Sequence, residues 1–189
     1  MQLKKSLLFF LLLIPAIVLT FAAFQNTLGP DPAEALADQT GEWALRLLLL
    51  TLVITPLRKL TGWTQLTQYR RMIGLYTFFY ATLHLLVFIA FLLNWQWREL
   101  WQELSERPYI VAGFISFVLL IPLAITSTQA WRRRLPRHWK SLHQLVYPAA
   151  AIAVLHLCWQ VRSDWAEALV YFAILALLLA YRLLANLRH

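Results

Sequence analysis

Three histidines, His84, His143 and His156, stand inside stretches that are otherwise almost wholly apolar. An ionisable side chain in hydrocarbon is costly, so by default it marks a function and requires a partner. Imidazole is the commonest metal ligand among side chains, and haem iron is often held by it. These residue types in these places therefore point to iron coordination inside a membrane. His138 lies in a basic loop and reads as solvated or at the headgroups, and His189, at the C-terminus, is uninformative.

Such ligands must be carried by helices that cross a bilayer. Of the 189 residues, 60% are hydrophobic, well above the ~45–50% of soluble domains. They fall into runs close to the ~20 residues needed to cross ~30 Å of hydrocarbon. Six spans are read, at 7–24, 43–60, 72–93, 110–130, 142–159 and 166–184. The sequence thus predicts an all-α membrane protein, a six-helix transmembrane bundle. The segment 25–42, rich in Pro, Gly and acids, reads as a loop with a helical turn at 34–38. The segment 94–109, with its Trp and Glu residues, reads as an amphipathic helix on the outer surface. Pro136 ends any helix in the most basic connection, 131–140.

The net charge of +8 does not indicate nucleic acid, because of how it is laid out. With the first loop outside, Lys4, Lys5, Arg58, Lys59, Arg70, Arg71, the arginines of 132–137, Lys140, Arg182 and Arg188 fall on the cytoplasmic side. Only Arg98, Arg107 and Arg162 fall clearly outside, with Arg46 near the outer end of the second span. This is the positive-inside pattern of a multi-pass membrane protein with both termini cytoplasmic. All nine acidic residues, Asp164 among them, land on the outer side. The nine tryptophans lie at or beyond span ends, as an interfacial belt does. Lys4 and Lys5 before an apolar run also fit a cleaved signal peptide. The run's length and the lack of a clear A-x-A site favour a retained span. The single cysteine, Cys158, allows no internal disulfide, and no C-x-x-C-H occurs. A bound haem is therefore held without covalent attachment, as b-type. No Gly-rich nucleotide loop and no internal repeat stands out.

The third and fifth spans both run outward, so depth along them can be compared. His84 lies 13 residues past Arg71 and His156 lies 16 past Lys140, about 20 and 24 Å at 1.5 Å per residue. Two imidazoles at similar depth can clamp one iron in the outer half of the membrane. His143 is three residues past Lys140, near the inner surface. The 13 residues to His156 rotate the face by about 140° on an ideal helix, although Pro148 between them can distort it. No second histidine lies low on the third span. Arg70 and Arg71 stand there instead, unable to ligate iron but suited to haem propionates or a flavin phosphate. Against these readings, a histidine in a membrane helix can simply hydrogen-bond a neighbouring helix. A basic loop can be topogenic charge in contact with lipid. Glu42 and Arg46 read as a structural i,i+4 pair.

The segment RRMIGLYTFFYATLHLLVF around His84 resembles the third helix of the ferric-reductase-like transmembrane superfamily. RPYIVAGFISFVLLIPLAITST and RHWKSLHQLVYPAAAIAVLHLCW resemble, more narrowly, the MsrQ/YedZ family. These are the haem-binding membrane subunits of the bacterial periplasmic methionine sulfoxide reductase system. The likeness covers essentially the whole chain and implies one ferric-reductase-like transmembrane haem-binding domain over 1–189. It implies an inner-membrane electron-transfer subunit fed by the quinol pool or a cytoplasmic flavin reductase. Electrons would pass through haem b, with FMN a further candidate, to a periplasmic molybdopterin catalytic subunit. That partner would carry the substrate site and repair oxidised proteins by reducing methionine sulfoxide. His84, His143 and His156 match the family's haem-ligand positions. Larger relatives carry two histidines on each of two helices and this chain has three of those four, which leaves one or two haems open. The alternative is a membrane ferric or oxygen reductase module working with a separate flavoprotein.

Overall fold

The computed structural model describes residues 2–161 and 165–187. Arg162, Asp164, Arg188 and His189 lie outside the described residues. Among those described, the structure is helical with no strand. Five helical segments are long and apolar enough to cross a membrane: Leu3–Phe24, Thr64–Leu92, Pro108–Ile125, Trp139–Gln160 and Trp165–Ala185.

Helix α1 (Gln2–Phe24) leads to α2 (Pro32–Thr61), the longest at 30 residues. The loop expected over 25–42 shrinks accordingly. Asp31 caps α2 by accepting the Glu34 N–H at 3.0 Å, and Pro32 takes the first-turn position that needs no donor. The acids that made this stretch read as loop sit at Glu34, Asp38 and Glu42, four apart, with Arg46 next. Four-residue spacing places them on one stripe of a helix. Ala37 and Thr40, off that stripe, are buried. Gly62 closes α2 with a left-handed φ of 73° and an N–H bonded to the Arg58 carbonyl.

Helix α3 (Thr67–Val87) returns antiparallel against α2 and ends in a π turn, Phe88–Leu92. The amphipathic helix α4 (Trp97–Glu106) leaves Trp97 and Trp101 exposed, as an interfacial helix does. Then come α5 (Pro108–Ile125) and two short helices, α6 (Gln129–Arg134) and α7 (Trp139–Leu142). A 3-10 turn, His143–Leu145, joins α7 to α8 (Val146–Gln160), and α9 (Trp165–Leu187) completes the bundle.

Two closely packed pairs, α2 with α3 and α5 with α8, form its centre. Ala149 and Ala150 are wholly buried on α8. Their small side chains let α5 approach, and the Ser116 hydroxyl donates to the Ala149 carbonyl at 2.9 Å. The first helix is fastened by two tyrosines of α3. Tyr76 donates to the Phe9 carbonyl at 2.8 Å. The Tyr80 hydroxyl donates to Leu12 O at 2.8 Å and accepts the Ala16 N–H at 3.1 Å, so it sits within one step of the α1 ladder.

Candidate haem site and basic cavity

The two central pairs bring His84 of α3 and His156 of α8 together, with ring centroids 6.1 Å apart and planes crossing at 75°. His84 Nδ1 lies 2.8 Å from the Ala37 carbonyl of α2. His156 Nδ1 lies 2.6 Å from the Tyr109 carbonyl of α5. A carbonyl only accepts, so each Nδ1 carries the proton and donates. Each Nε2 then keeps its lone pair, which is the state a metal ligand needs. A backbone carbonyl on the far nitrogen is also the usual orienting contact for a ligating histidine.

The separation fits one metal ion. Two imidazole nitrogens about 2 Å from a shared ion place their ring centroids about 6 Å apart. Among the described residues no group of three or more His, Cys, Asp or Glu gathers to bind a metal. A site with only two protein ligands suits an ion whose remaining donors come from a macrocycle, as in haem.

Two glycines make room for these rings, and the sequence reading did not single them out. A Cβ on Gly41 would lie 3.1 Å from His84 Nδ1 and 3.2 Å from its Cε1. A Cβ on Gly113 would lie 2.9 Å from both Nδ1 and Cε1 of His156. The sequence hints only at Gly113, a glycine inside the fourth predicted span, because Gly41 falls in the segment read as a loop.

His143 is placed apart from this pair, at the opposite end of the bundle. Its ring stacks on Trp139 at 4.0 Å, and its Nε2 lies 3.1 Å from Thr126 Oγ1. The Thr126 hydroxyl gives its one hydrogen to the Pro122 carbonyl at 2.6 Å. Toward His143 it can only accept, so the proton is on Nε2, the reverse of the other two histidines. Trp139 Nε1 bonds the Thr126 carbonyl at 3.0 Å, which anchors the same corner.

This corner borders a cavity of about 630 Å³. Arg70, Arg71, Arg132, Lys140, Arg182 and His143 line it, and among the described residues no carboxylate does. The polar rim gives way to an apolar floor that includes Leu48, Phe78, Leu120 and Leu123. Arg182 was read from the sequence only as inner charge. It bonds the Tyr147 hydroxyl and, at 3.2 Å, the Leu52 carbonyl, while its Nε is buried without a partner. Guanidinium groups without carboxylates suit phosphate or carboxylate oxygens. Phe78, at the floor, stacks on Phe117 of α5 at 5.5 Å. It precedes His84 by six residues, about 9 Å of helix.

The acids sit at the other end, near the histidine pair. Arg46 bonds Glu42 at 2.6 Å, lies 3.6 Å from Glu167 of α9 and donates to the Tyr171 hydroxyl at 2.9 Å. The pair read as local thus also joins α2 to α9. Gln160 at the end of α8 donates to Asp38 at 2.9 Å.

Known proteins resemble this chain over most of its length. The ferric reductase like transmembrane component family matches residues 40–154, from Thr40 within α2 to Val154 within α8, two residues before His156. A protein-methionine-sulfoxide reductase heme-binding subunit MsrQ of Xanthomonas campestris pv. campestris (strain B100) is 54% identical over 157 residues, 83% of this chain and 72% of the relative. MsrQ of Xanthomonas axonopodis pv. citri is 52% identical over the same shares. MsrQ of Rhodospirillum rubrum is 46% identical over 162 residues, 85% of this chain and 78% of the relative. No solved structure matches. The chain belongs to the MsrQ family of haem-binding subunits, among the ferric-reductase-like transmembrane proteins.

Proposed function

We propose that this chain is the membrane electron-transfer subunit of a protein-methionine-sulfoxide reductase. One haem b would be clamped between His84 and His156. The observation that carries the reading is the pair of imidazoles 6.1 Å apart, each with Nδ1 spent on a carbonyl and Nε2 left free. Haem held there would supply a one-electron carrier. Two imidazoles, from His84 and His156, would leave its iron no place for oxygen and would suit it to electron transfer. The helices supply placement and dry surroundings.

In this reading α2 is the sixth crossing, over 43–60, both termini are cytoplasmic and the chain sits in the bacterial inner membrane. The histidine pair then faces the periplasmic half. The substrate chemistry belongs to a periplasmic molybdopterin-containing catalytic subunit. The basic cavity opens toward the cytoplasm. Arg70 and Arg71 there hold the anionic groups of a second cofactor, either an FMN phosphate or the propionates of a second haem, with His143 beside it. The orphaned Arg182 Nε and the lack of lining acids support an anion at this place. The bond from His143 to Thr126 favours FMN, because a second haem would need that Nε2 released. Electrons enter from the quinol pool or a cytoplasmic flavin reductase.

The purified full chain is expected to show a b-type reduced-minus-oxidised spectrum and a low-spin, six-coordinate ferric signal. His84→Ala and His156→Ala each abolish that signal, whereas His143→Ala keeps it. Full haem with unchanged coordination in both of the first two variants would end the assignment. Arg70→Gln is expected to lower flavin content after gentle purification while leaving the bis-histidine spectrum intact. The family match also favours a second reading, a ferric or oxygen reductase module served by a separate flavoprotein. Rapid reduction of ferric chelates by the haem-loaded chain, in place of transfer to the catalytic subunit, would establish that one.

A further inference from the structure

The two haem-side histidines are held by the same three-part device. In each, a ring donates Nδ1–H to a carbonyl 47 residues earlier. In each, a glycine four residues after that carbonyl lies under the ring. A constant shift of 72 (156 minus 84, 113 minus 41, 109 minus 37) carries His84, Gly41 and Ala37 onto His156, Gly113 and Tyr109. The same shift carries the start of α3, Thr67, onto Trp139, the first residue of α7 and of the apolar segment Trp139–Gln160 that ends in the His156 helix. The two helix pairs therefore share one local pattern of carbonyl, glycine and histidine at a constant spacing. One helix of each pair offers a carbonyl and a glycine one turn apart, and the other lays an imidazole across them.

The physical reason for glycine follows from the distances. In a helix, residues four apart lie one above the other. A ring that reaches the carbonyl at one position must cross the residue a turn later. Any Cβ at Gly113 would stand 2.9 Å from two ring atoms, well inside van der Waals contact at about 3.5–4.0 Å. At Gly41 the nearest approach would be 3.1 Å. Each ring would have to retreat, lengthening a bond now at 2.6 or 2.8 Å.

We infer that Gly41 and Gly113 are positioning residues for the haem ligands: they let each imidazole lie close enough to donate Nδ1–H to the carbonyl of Tyr109 or Ala37, which fixes ring orientation and ligand strength. The inference rests on the bis-histidine reading above. Donation to a carbonyl makes the imidazole a stronger base toward the metal. A stronger donor favours the ferric state, so losing the bond favours the ferrous one.

The test uses the purified full chain with its haem and the variants Gly41→Ala and Gly113→Ala. Both are expected to shift the ratio of reduced to oxidised haem at fixed applied potential by about tenfold toward reduced, ~59 mV for one electron. Both should also move the low-spin g-values, because the angle between the rings changes. A merely weakened fold lowers haem content without moving the g-values or potential of what remains, and that result would overturn the inference. If either variant fails to reach the membrane, the unsubstituted protein decides. Electron spin echo spectroscopy reads the quadrupole coupling of the remote imidazole nitrogens. A hydrogen-bonded value supports the cradle, and a value equal to that of an unbonded bis-imidazole haem overturns it. A missing bis-imidazole signal in the unsubstituted protein ends the haem reading itself. Its presence with unmoved variants ends the cradle alone.

Discussion

His84 and His156 were legible from sequence because an imidazole in hydrocarbon is conspicuous and its depth can be counted from the nearest basic residue. Gly41 and Gly113 were not: Gly41 fell in a segment read as a loop, where glycine is ordinary, a glycine inside an apolar helix such as Gly113 has many explanations, and only the distance to a ring selects one. The ring of Tyr80 is wholly buried beside Trp43. Its hydroxyl does more by completing a step of α1. Tyr80→Phe is expected to cost about 1 kcal/mol and to release α1 first, seen as earlier proteolysis near Leu12 with haem retained. Glu42 offers a pH handle. Burial pushes its carboxyl above the ordinary carboxylate range, Arg46 pulls it back, and Glu167 and Asp38 push it up again. A carboxyl that binds its proton more tightly in the folded state contributes stability that is complete below the ordinary carboxylate range. That contribution is lost as pH rises through the raised value. Thermal unfolding between about pH 4 and 7 should therefore show a decline that Glu42→Gln flattens, and an unchanged slope would refute this.

At the scale of elements, the outer half of α2 is where sequence and structure part. Charge at Glu34, Asp38 and Glu42 suggested a loop because acids and a nearby Pro–Gly run are loop signals. Their four-residue spacing is a helical signal, and it decides the outcome because Ala37 and Gly41 on another side of the turn receive His84. The break at Thr126, inside the span read as 110–130, was not foreseen, and near the His143–Leu145 turn only a distortion at Pro148 was. Long-range bonds among Thr126, His143 and Trp139 create that corner, and no local pattern encodes them. The close contact of α5 with α8 sets up the next prediction. Ala149→Leu inserts bulk where α5 lies against α8, an overpacking worth about 1–3 kcal/mol. It should also separate Gly113 from His156 and lower haem retention on mild detergent extraction. Ala151→Leu, on the exposed side of the same helix, is expected to change stability by no more than about 0.5 kcal/mol. Equal losses in both would show that α5–α8 contact is not what holds the ligand.

For the whole molecule, the separation of charge was the most readable property, since it needs only the order of apolar runs and the signs between them. The bundle keeps that separation: Arg46 among acids at one end, and arginines without carboxylates around the cavity at the other. What the order of residues could not reveal is that Arg70 from α3, Arg132 from α6 and Arg182 from α9 converge on one space. The proposed orientation predicts that reporters fused at either terminus read as cytoplasmic and one inserted after Gly29 reads as periplasmic. The opposite pattern would reverse the direction of electron flow assigned here.

That uneven charge has an energetic corollary for the traffic the bundle carries. Cations around the cavity favour added negative charge there, whereas the carboxylates gathered near the histidine pair disfavour it, and both effects are magnified in a medium of low dielectric constant. In the proposed direction of transfer, an electron passing from the cavity toward the histidine pair would climb a built-in electrical slope. Its donor and acceptor would then have to span a redox gap wide enough to drive it, and neutralising Arg182 or Glu167 would reshape the gradient from opposite ends without touching a ligand.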